Sequence, residues 1–572
     1  MSDGRKRPLT SLESRPAYPR KRAARACLTC RRRRTKCDNE QPSCTSCTAL
    51  QVECVYREID KASFDPASLA ILQRLDDLEA LYKAGNHGTA ALPAAVQGNP
   101  SPVLEYGSVP SADLDFEDNV ETRFVNVEAI LDWPILCMDA FRPRRGLLNL
   151  LRAPSGIIIQ RSLLAADMNV KEALKLLDLF VTHFHNFNPV LDISKVEEHI
   201  KFTGLNGLEW DAWSCLLLLI YALGSTVSDG DELPPHSSVK FRNTVAFERS
   251  EAFFSAAQKR MGSLLFGSDL TEAQVFFLAG VYLMTTLRPV EAWRAFVQAL
   301  TCCQSLQSLA SDAAPEEAQL RQGVYWTCFK SELEVRMELG ITETSVWNLR
   351  YPAAYPEPPK SLRSEGEPAW YFYLAEIALR RLQTRILMST CRVVPAGNAL
   401  LERSTSAFEF ERQANRWAES LPESLQNNMD SDQPTLLHDE RPHFRFILSG
   451  HLLDCLEMIY WPFCEGAILG NLTSDLDCNI LADRGFEICV QRIEENEPGF
   501  YFRHHGTWLM LRSCTRSALV LVIAAHSGLG QKMPARWREA VEKVIHLLNY
   551  WKEEVADVED RLEVLQSLAL QL

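Results

Sequence analysis

Six of the chain's 17 cysteines fall within 28 residues: Cys27, Cys30, Cys37, Cys44, Cys47 and Cys54. They read C-x2-C-x6-C, a six-residue gap, then C-x2-C-x6-C again, so the half-motif repeats with a shift of 17 residues. So short a polar segment cannot bury a hydrophobic core of its own, and such paired spacing is a metal-ligand pattern. No His lies between Cys27 and Cys54. Zinc takes four tetrahedral ligands, so two ions need eight ligand positions from six thiolates. The count closes when two thiolates bridge both metals. One zinc on Cys27, Cys30, Cys44 and Cys47 is the simpler alternative, but it leaves Cys37 and Cys54 unexplained at matching places in the two halves. A disulfide framework would need an oxidising compartment, and charged residues stand where a secretory signal would place its apolar stretch. The other eleven cysteines are scattered from Cys137 to Cys514 and read as buried thiols.

Charge is divided along the chain. The 572 residues carry −14 overall, but residues 1–60 hold 14 Lys and Arg against 7 Asp and Glu, leaving −21 on residues 61–572. Between residues 14 and 36 there are ten basic side chains and no acidic one. The two halves of the cysteine motif differ in the same way. Arg31, Arg32, Arg33, Arg34 and Lys36 follow Cys30, whereas no basic residue lies between Cys47 and Cys54. One half therefore faces nucleic acid and the other completes the metal site. Each C-x2-C is expected to open a short helix, with Arg31 and Arg34 on one face of the first. Arginine contacts phosphates or forks onto guanine O6 and N7. An acidic body would discourage nonspecific adhesion to DNA. The upstream clusters Arg5-Lys6-Arg7 and Arg20-Lys21-Arg22 read as nuclear import signals or a disordered basic tail.

Residues 27–54 resemble the DNA-binding domain of the fungal Zn(2)-C6 binuclear zinc-cluster transcription factors, whose pattern is met here by Arg31, Arg33, Lys36, Asp38 and Pro42. The resemblance implies two zinc ions per chain, with Cys27 and Cys44 as the bridging sulfurs and Pro42 as the loop proline between the halves. It also implies recognition of CGG-type half-sites. The position that reads the triplet is usually Lys in the family and is Arg34 here, assisted by Arg33. The similarity continues through residues 180–192, residues 321–340 with Trp326 and Glu334, Tyr460-Trp461-Pro462-Phe463, and residues 551–565. In the family this region is an all-helical regulatory domain.

Past a short linker, residues 69–83 hold no Gly or Pro and place Ile71, Leu75, Leu78 and Tyr82 at 4-3-4 spacing. That is a coiled-coil seam of about two heptads, read as a dimerisation helix. Leu69, Leu72 and Leu81 widen the apolar face, as in an ordinary helix docked on the body. Residues 85–118 are rich in Gly, Pro, Ala and Ser and form a connector. Its end, Asp113 to Asp118, mixes acidic and apolar residues, as a solvated linker end or an activation segment would. Beyond residue 120 apolar residues recur at helical spacing: Leu174, Leu177, Val181 and Phe184; Phe254, Ala257, Met261 and Leu264; Trp293, Phe296, Leu300 and Cys303. The expected fold is mainly α.

The expected organisation is a basic tail over 1–22, the zinc-cluster domain over 23–58, linker and dimer helix over 59–84, a second linker over 85–119 and a helical regulatory domain over 120–572. The expected function is a nuclear, sequence-specific RNA polymerase II transcription factor with structural zinc. Its expected partners are double-stranded DNA, a second copy of itself, co-regulators of transcription and a small-molecule effector, with no membrane. A ligand-gated repressor is one alternative. The other is a helical enzyme localised by the zinc module. No phosphate-cradling glycine loop, G-x-S-x-G or H-E-x-x-H supports an enzyme. His183 and His185 lack an evident partner ligand, and Cys302 and Cys303 read as core thiols. A deep pocket lined by clustered carboxylates or histidines would favour the enzyme.

Overall fold

The computed structural model describes residues 27–33, 35, 37, 43–50, 52–54, 125–136, 146–151, 169–227, 241–267, 269–308, 315–341, 356, 367–390, 399–426, 441–472 and 475–572. The chain divides into two compact units, Met1–Ser108 and Val109–Leu572. Ile71, Leu75, Leu78 and Tyr82 of the expected dimer helix lie outside the described residues, as do both linkers.

The first unit contributes two short helices, α1 (Leu28–Arg33) and α2 (Thr45–Ala49), each beginning just after the first cysteine of a C-x2-C pair. In the second unit the described elements are helices, with no strand among the described residues. They run α3 (Val127–Leu131), α4 (Leu147–Leu150), α5 (Val170–Phe180), α6 (Ile193–Asn206), α7 (Ala212–Thr226), α8 (Val245–Leu264), α9 (Leu270–Thr285) and α10 (Pro289–Ser308). Then follow α11 (Pro315–Leu339), α12 (Glu367–Thr390), α13 (Ala399–Glu419), α14 (Arg441–Ile468), α15 (Leu476–Asn496), α16 (Thr507–Ala524), α17 (Trp537–Trp551) and α18 (Ala556–Ala569).

Local chemistry starts several of these helices. Asn169 accepts from the Glu172 N–H at 2.8 Å, Asp211 from Ser214 at 2.8 Å and Thr244 from Phe247 at 3.2 Å, each satisfying an N–H that the first helical turn leaves unpaired. The apolar stripes largely coincide with the buried faces. Phe254, Ala257 and Leu264 are buried on α8, as are Phe296, Leu300 and Cys303 on α10. On α5 the buried line is Ala173, Leu176, Leu177 and Phe180, while Leu174 and Val181 are only half-buried. Past Phe180 the chain continues in a π-helical turn over Val181–His185, on which Phe184 lies beside Phe180, ring centroids 6.2 Å apart.

Three helices are buried nearly all round: α7, α9 and α16. A helix apolar on every face belongs in the centre of a large unit. The segment Thr507–Leu529 is long and apolar enough to cross a bilayer, yet 89% of its most apolar stretch is buried inside the fold, as befits a core helix. Helices α5 and α7 approach closely at Gly224, where an added Cβ would stand 2.3 Å from the Leu176 carbonyl oxygen.

Helix α16 also carries Arg512 and Arg516 into the core. Arg516 donates to Glu457 of α14 at 2.9 and 2.7 Å and pairs with Glu338 of α11. Arg512 donates to Glu128 of α3 at 3.0 Å, and Arg561 of α18 donates to the same carboxylate at 2.9 Å. Burial alone would raise the Glu128 carboxyl, but Arg512 and Arg561 outweigh it and hold its pKa at about 2.

Candidate metal centre and nucleic-acid interface

The two halves of the cysteine motif fold alike, and the 17-residue repeat becomes a repeated hydrogen-bond pattern. The Cys30 N–H donates to Cys27 Sγ at 3.3 Å, and its counterpart, the Cys47 N–H, donates to Cys44 Sγ at 3.4 Å. The Cys27 N–H donates to Cys37 Sγ at 3.5 Å, and the Cys44 N–H to Cys54 Sγ at 3.3 Å. The halves are tied together by the Thr29 hydroxyl, which donates to the Glu53 carbonyl at 2.8 Å. Cys27, Cys30, Cys44 and Cys47 are buried, with Cys37 and Cys54 packed against them.

The sulfurs form two sets of four, Cys27, Cys30, Cys37 and Cys44 in one and Cys27, Cys44, Cys47 and Cys54 in the other, every ligand atom of a set within 4.8 Å of the rest. Cys27 and Cys44 belong to both. The separation decides the chemistry. Sγ–Sγ distances are 3.8 Å for Cys27–Cys44 and 3.6 Å for both Cys27–Cys47 and Cys30–Cys44. A disulfide needs about 2.05 Å, whereas a tetrahedron with Zn–S near 2.3 Å has an edge of about 3.8 Å. The thiols therefore stand at the spacing of a metal–thiolate cluster. Without cations burial raises the Cys44 thiol and pushes the Cys47 thiol up to about 12, whereas the Cys44 N–H holds Cys54 below its ordinary value. Two divalent ions deprotonate the sulfurs outright. Six thiolates around two Zn²⁺ leave a formal charge of about −2, which the neighbouring arginines help to offset.

Helix α1 places Arg31, Arg32 and Arg33 directly after Cys30, and Arg33 is exposed. Arg34 and Lys36 lie outside the described residues. In the second half the exposed positions include Leu50 and Val52 rather than cations. His183 is exposed, and His185 is a packed histidine whose Nε2 accepts from the Leu191 N–H at 3.2 Å. Burial holds His185 down at about 4. Cys302 and Cys303 are core thiols, each 2% exposed.

Motif reasoning missed a cavity of about 160 Å³ in the helical unit, whose walls include Lys330, Glu334, Glu376, Arg380, His451 and Asp454. The only hint in the sequence was charge within otherwise apolar helices. The histidine and carboxylate lining is there, but the carboxylates are engaged by cations: Glu376 by Lys330 at 2.5 Å, Glu334 by Arg380 at 2.7 Å and Asp454 by Arg492 at 2.9 Å.

A two-metal thiolate head beside an arginine-bearing helix, in a chain with a large helical unit, defines a zinc-cluster DNA-binding regulator. Residues 25–63 match the family described as the fungal Zn(2)-Cys(6) binuclear cluster domain, and residues 177–365 match the fungal specific transcription factor domain. The chain belongs to the fungal Zn(2)-Cys(6) transcription factors: it binds two zinc ions and DNA. Among its relatives is ecdB of Aspergillus rugulosus, named as a transcription factor, 25% identical over 496 residues that cover 77% of this chain and 78% of that protein. Oleate activated transcription factor 3 of Kluyveromyces lactis is 51% identical over 43 residues, 8% of this chain and 6% of its own length. An ABC-transporter-regulating transcription factor of Aspergillus fumigatus is 34% identical over 58 residues, 10% of this chain and 6% of its own length.

Proposed function

We propose that this factor works in the nucleus by reading CGG-type half-sites with its zinc-cluster head. All six cysteines ligate zinc, with Cys27 and Cys44 bridging. Arg34, assisted by Arg33, contacts guanine edges, while Arg31, Arg32 and Lys36 hold phosphates and fix the register. The observation that carries this reading is the pair of overlapping four-sulfur sets, which anchors the backbone from which α1 projects. The helix over residues 69–83 joins two copies through Ile71, Leu75, Leu78 and Tyr82, and the helical unit engages co-regulators. The names of the Aspergillus fumigatus and Kluyveromyces lactis relatives, which refer to transporters and oleate, support a metabolic or secondary-metabolite gene set as the target.

The body acts by binding rather than catalysis. Its cavity holds carboxylates and histidines, as an enzyme's would, but Glu376, Glu334 and Asp454 are ion-paired to Lys330, Arg380 and Arg492 instead of standing free toward a substrate. The decisive experiment for DNA reading compares CGG-containing and scrambled duplexes. Arg34→Ala is expected to weaken CGG binding by about 1–3 kcal/mol and leave the scrambled duplex unchanged. Equal losses on both duplexes would refute base reading by Arg34.

A further inference from the structure

The cavity in the helical unit is walled by α9, α10, α11, α12, α14, α15 and α16, together with the turn holding His504 and His505. Its charges close among themselves. Lys330, Arg380, Arg492 and Arg516 stand against Glu376, Glu334, Asp454 and Glu338, each cation paired with one of these anions. The lining is therefore formally neutral, and a ligand with net charge would enter with nothing to compensate it.

Apart from atoms of the ion-paired Arg380 and Arg492, three polar atoms on the walls remain without a partner: Asn188 Oδ1, His451 Nδ1 and His504 Nε2. The hydrogen bonds on the other ring nitrogens fix what the two histidines offer. His504 Nδ1 accepts from the Gly506 N–H at 3.1 Å. Burial, with His505 and His443 nearby, keeps this ring neutral, its pKa down at about 3. The single ring proton therefore sits on Nε2, a donor. His451 Nε2 accepts from Arg380 Nη2 at 2.7 Å. Burial and the charges of Arg380, Lys330 and Arg492, with His505, hold that ring well below its ordinary pKa. Its proton is therefore on Nδ1, a second donor, 3.7 Å from the nearest Glu376 oxygen and beyond hydrogen-bond reach. Asn188 Oδ1 supplies an acceptor. Enclosed donors and acceptors without partners are uncommon in folded proteins and call for an occupant.

The remaining wall is apolar and compliant. Met284, Met337, Met458 and Met510 line it, four of the chain's eleven methionines, together with Phe372 and Phe446. Thioether chains adapt to irregular shapes. The volume, about 160 Å³, sets the size of the guest. Drug-sized ligands occupy roughly 300–1,000 Å³, while a cavity of about 150 Å³ admits benzene.

We propose that this cavity is a binding site for an uncharged small molecule of about one ring's bulk, bearing a carbonyl beside a hydrogen-bond donor. The carbonyl accepts from His451 and His504, the donor reaches Asn188 Oδ1, and the ring lies among the methionines and phenylalanines. This site is independent of DNA reading by the zinc cluster and stands or falls separately.

The test uses the full-length zinc-loaded protein with three probes: benzamide, benzoate and toluene. Calorimetric titration and thermal melting are expected to show saturable benzamide binding that raises the melting temperature. Benzoate and toluene should bind at least about tenfold more weakly, since one brings a charge and the other leaves the donors unpaired. Gly450 of α14 lines the cavity, and a Cβ added there meets nothing within 4 Å. Gly450→Leu should therefore fill the space, keep its helical circular dichroism and lose benzamide. His504→Phe keeps the ring bulk but not the donor and should bind about tenfold more weakly; it decides the matter if Gly450→Leu does not fold. Absent saturable benzamide binding, equal binding of benzoate, or full binding by a folded Gly450→Leu protein each overturns the proposal. DNA affinity, measured on the same samples, is expected to be unaltered in both variants.

Discussion

At the scale of single residues, the thiols are not equivalent. Cys27 and Cys44 stand in both four-sulfur sets, whereas Cys30 and Cys54 each stand in one. Removing a shared sulfur strips a ligand from both ions, and removing an unshared one strips a ligand from one. Cys27→Ala or Cys44→Ala should bring zinc from about two ions per chain to near none and abolish DNA binding. Cys30→Ala or Cys54→Ala should leave about one. Metal analysis of the purified proteins checks this, and equal losses from all four variants would refute the sharing. The cysteine spacing alone points to the six cysteines as candidate ligands, because a C-x2-C on a helical turn brings two sulfurs to one side. It cannot say which sulfurs are shared. The resemblance implied Cys27 and Cys44, and the folding of one half against the other places them in both sets.

At the scale of elements, the sequence was most legible where the signal is local. Asn169, Asp211 and Thr244 mark helix starts by hydrogen bonds spanning only three residues. Along α5 and the turn that follows it, Leu177 and Phe184 are buried as the stripe expects and Leu174 and Val181 pack partly against the core, while the π turn over Val181–His185 leaves no sign in local spacing. Close approach between helices is equally hidden. Gly224 reads as an ordinary weak point in an apolar helix, yet it faces the Leu176 backbone, which cannot move aside as a flexible side chain would. Gly224→Ala should cost about 1–3 kcal/mol in denaturant unfolding, since the added methyl forces α5 and α7 apart. Gly262→Ala on α8, where an added Cβ meets nothing within 4 Å, should instead be neutral or stabilise by up to about 1 kcal/mol. Matching losses at the two sites would refute the close-approach explanation.

At the scale of the whole helical unit, distant segments are joined by buried charge. Arg512 pairs with Glu128 across 384 positions of sequence, and Arg516 pairs with Glu457 across 59. Glu128 ties the start of the unit to its last helices, and its carboxyl is held at about 2 against an ordinary 4.5. Its pKa is lower in the folded state, so the stabilisation is complete above the ordinary value and fades as pH falls toward about 2. Glu128→Gln should therefore lower stability by about 3 kcal/mol at pH 7 and flatten the loss of stability between about pH 5 and pH 2. Chemical denaturation across that range measures both, and an unchanged acid limb would count against Glu128 as the linked group.

By itself the sequence determined the metal chemistry, the cationic head and the helical character of the body. Those properties depend on residues a few positions apart, where chain geometry leaves little choice. The tertiary structure decided which sulfurs stand in both sets, which carboxylates neutralise Arg512 and Arg516, and where α9 to α16 leave a lined cavity. Each of these depends on partners brought together from distant parts of the chain. Packing selects those partners by shape and charge balance in three dimensions, and no local pattern records the choice.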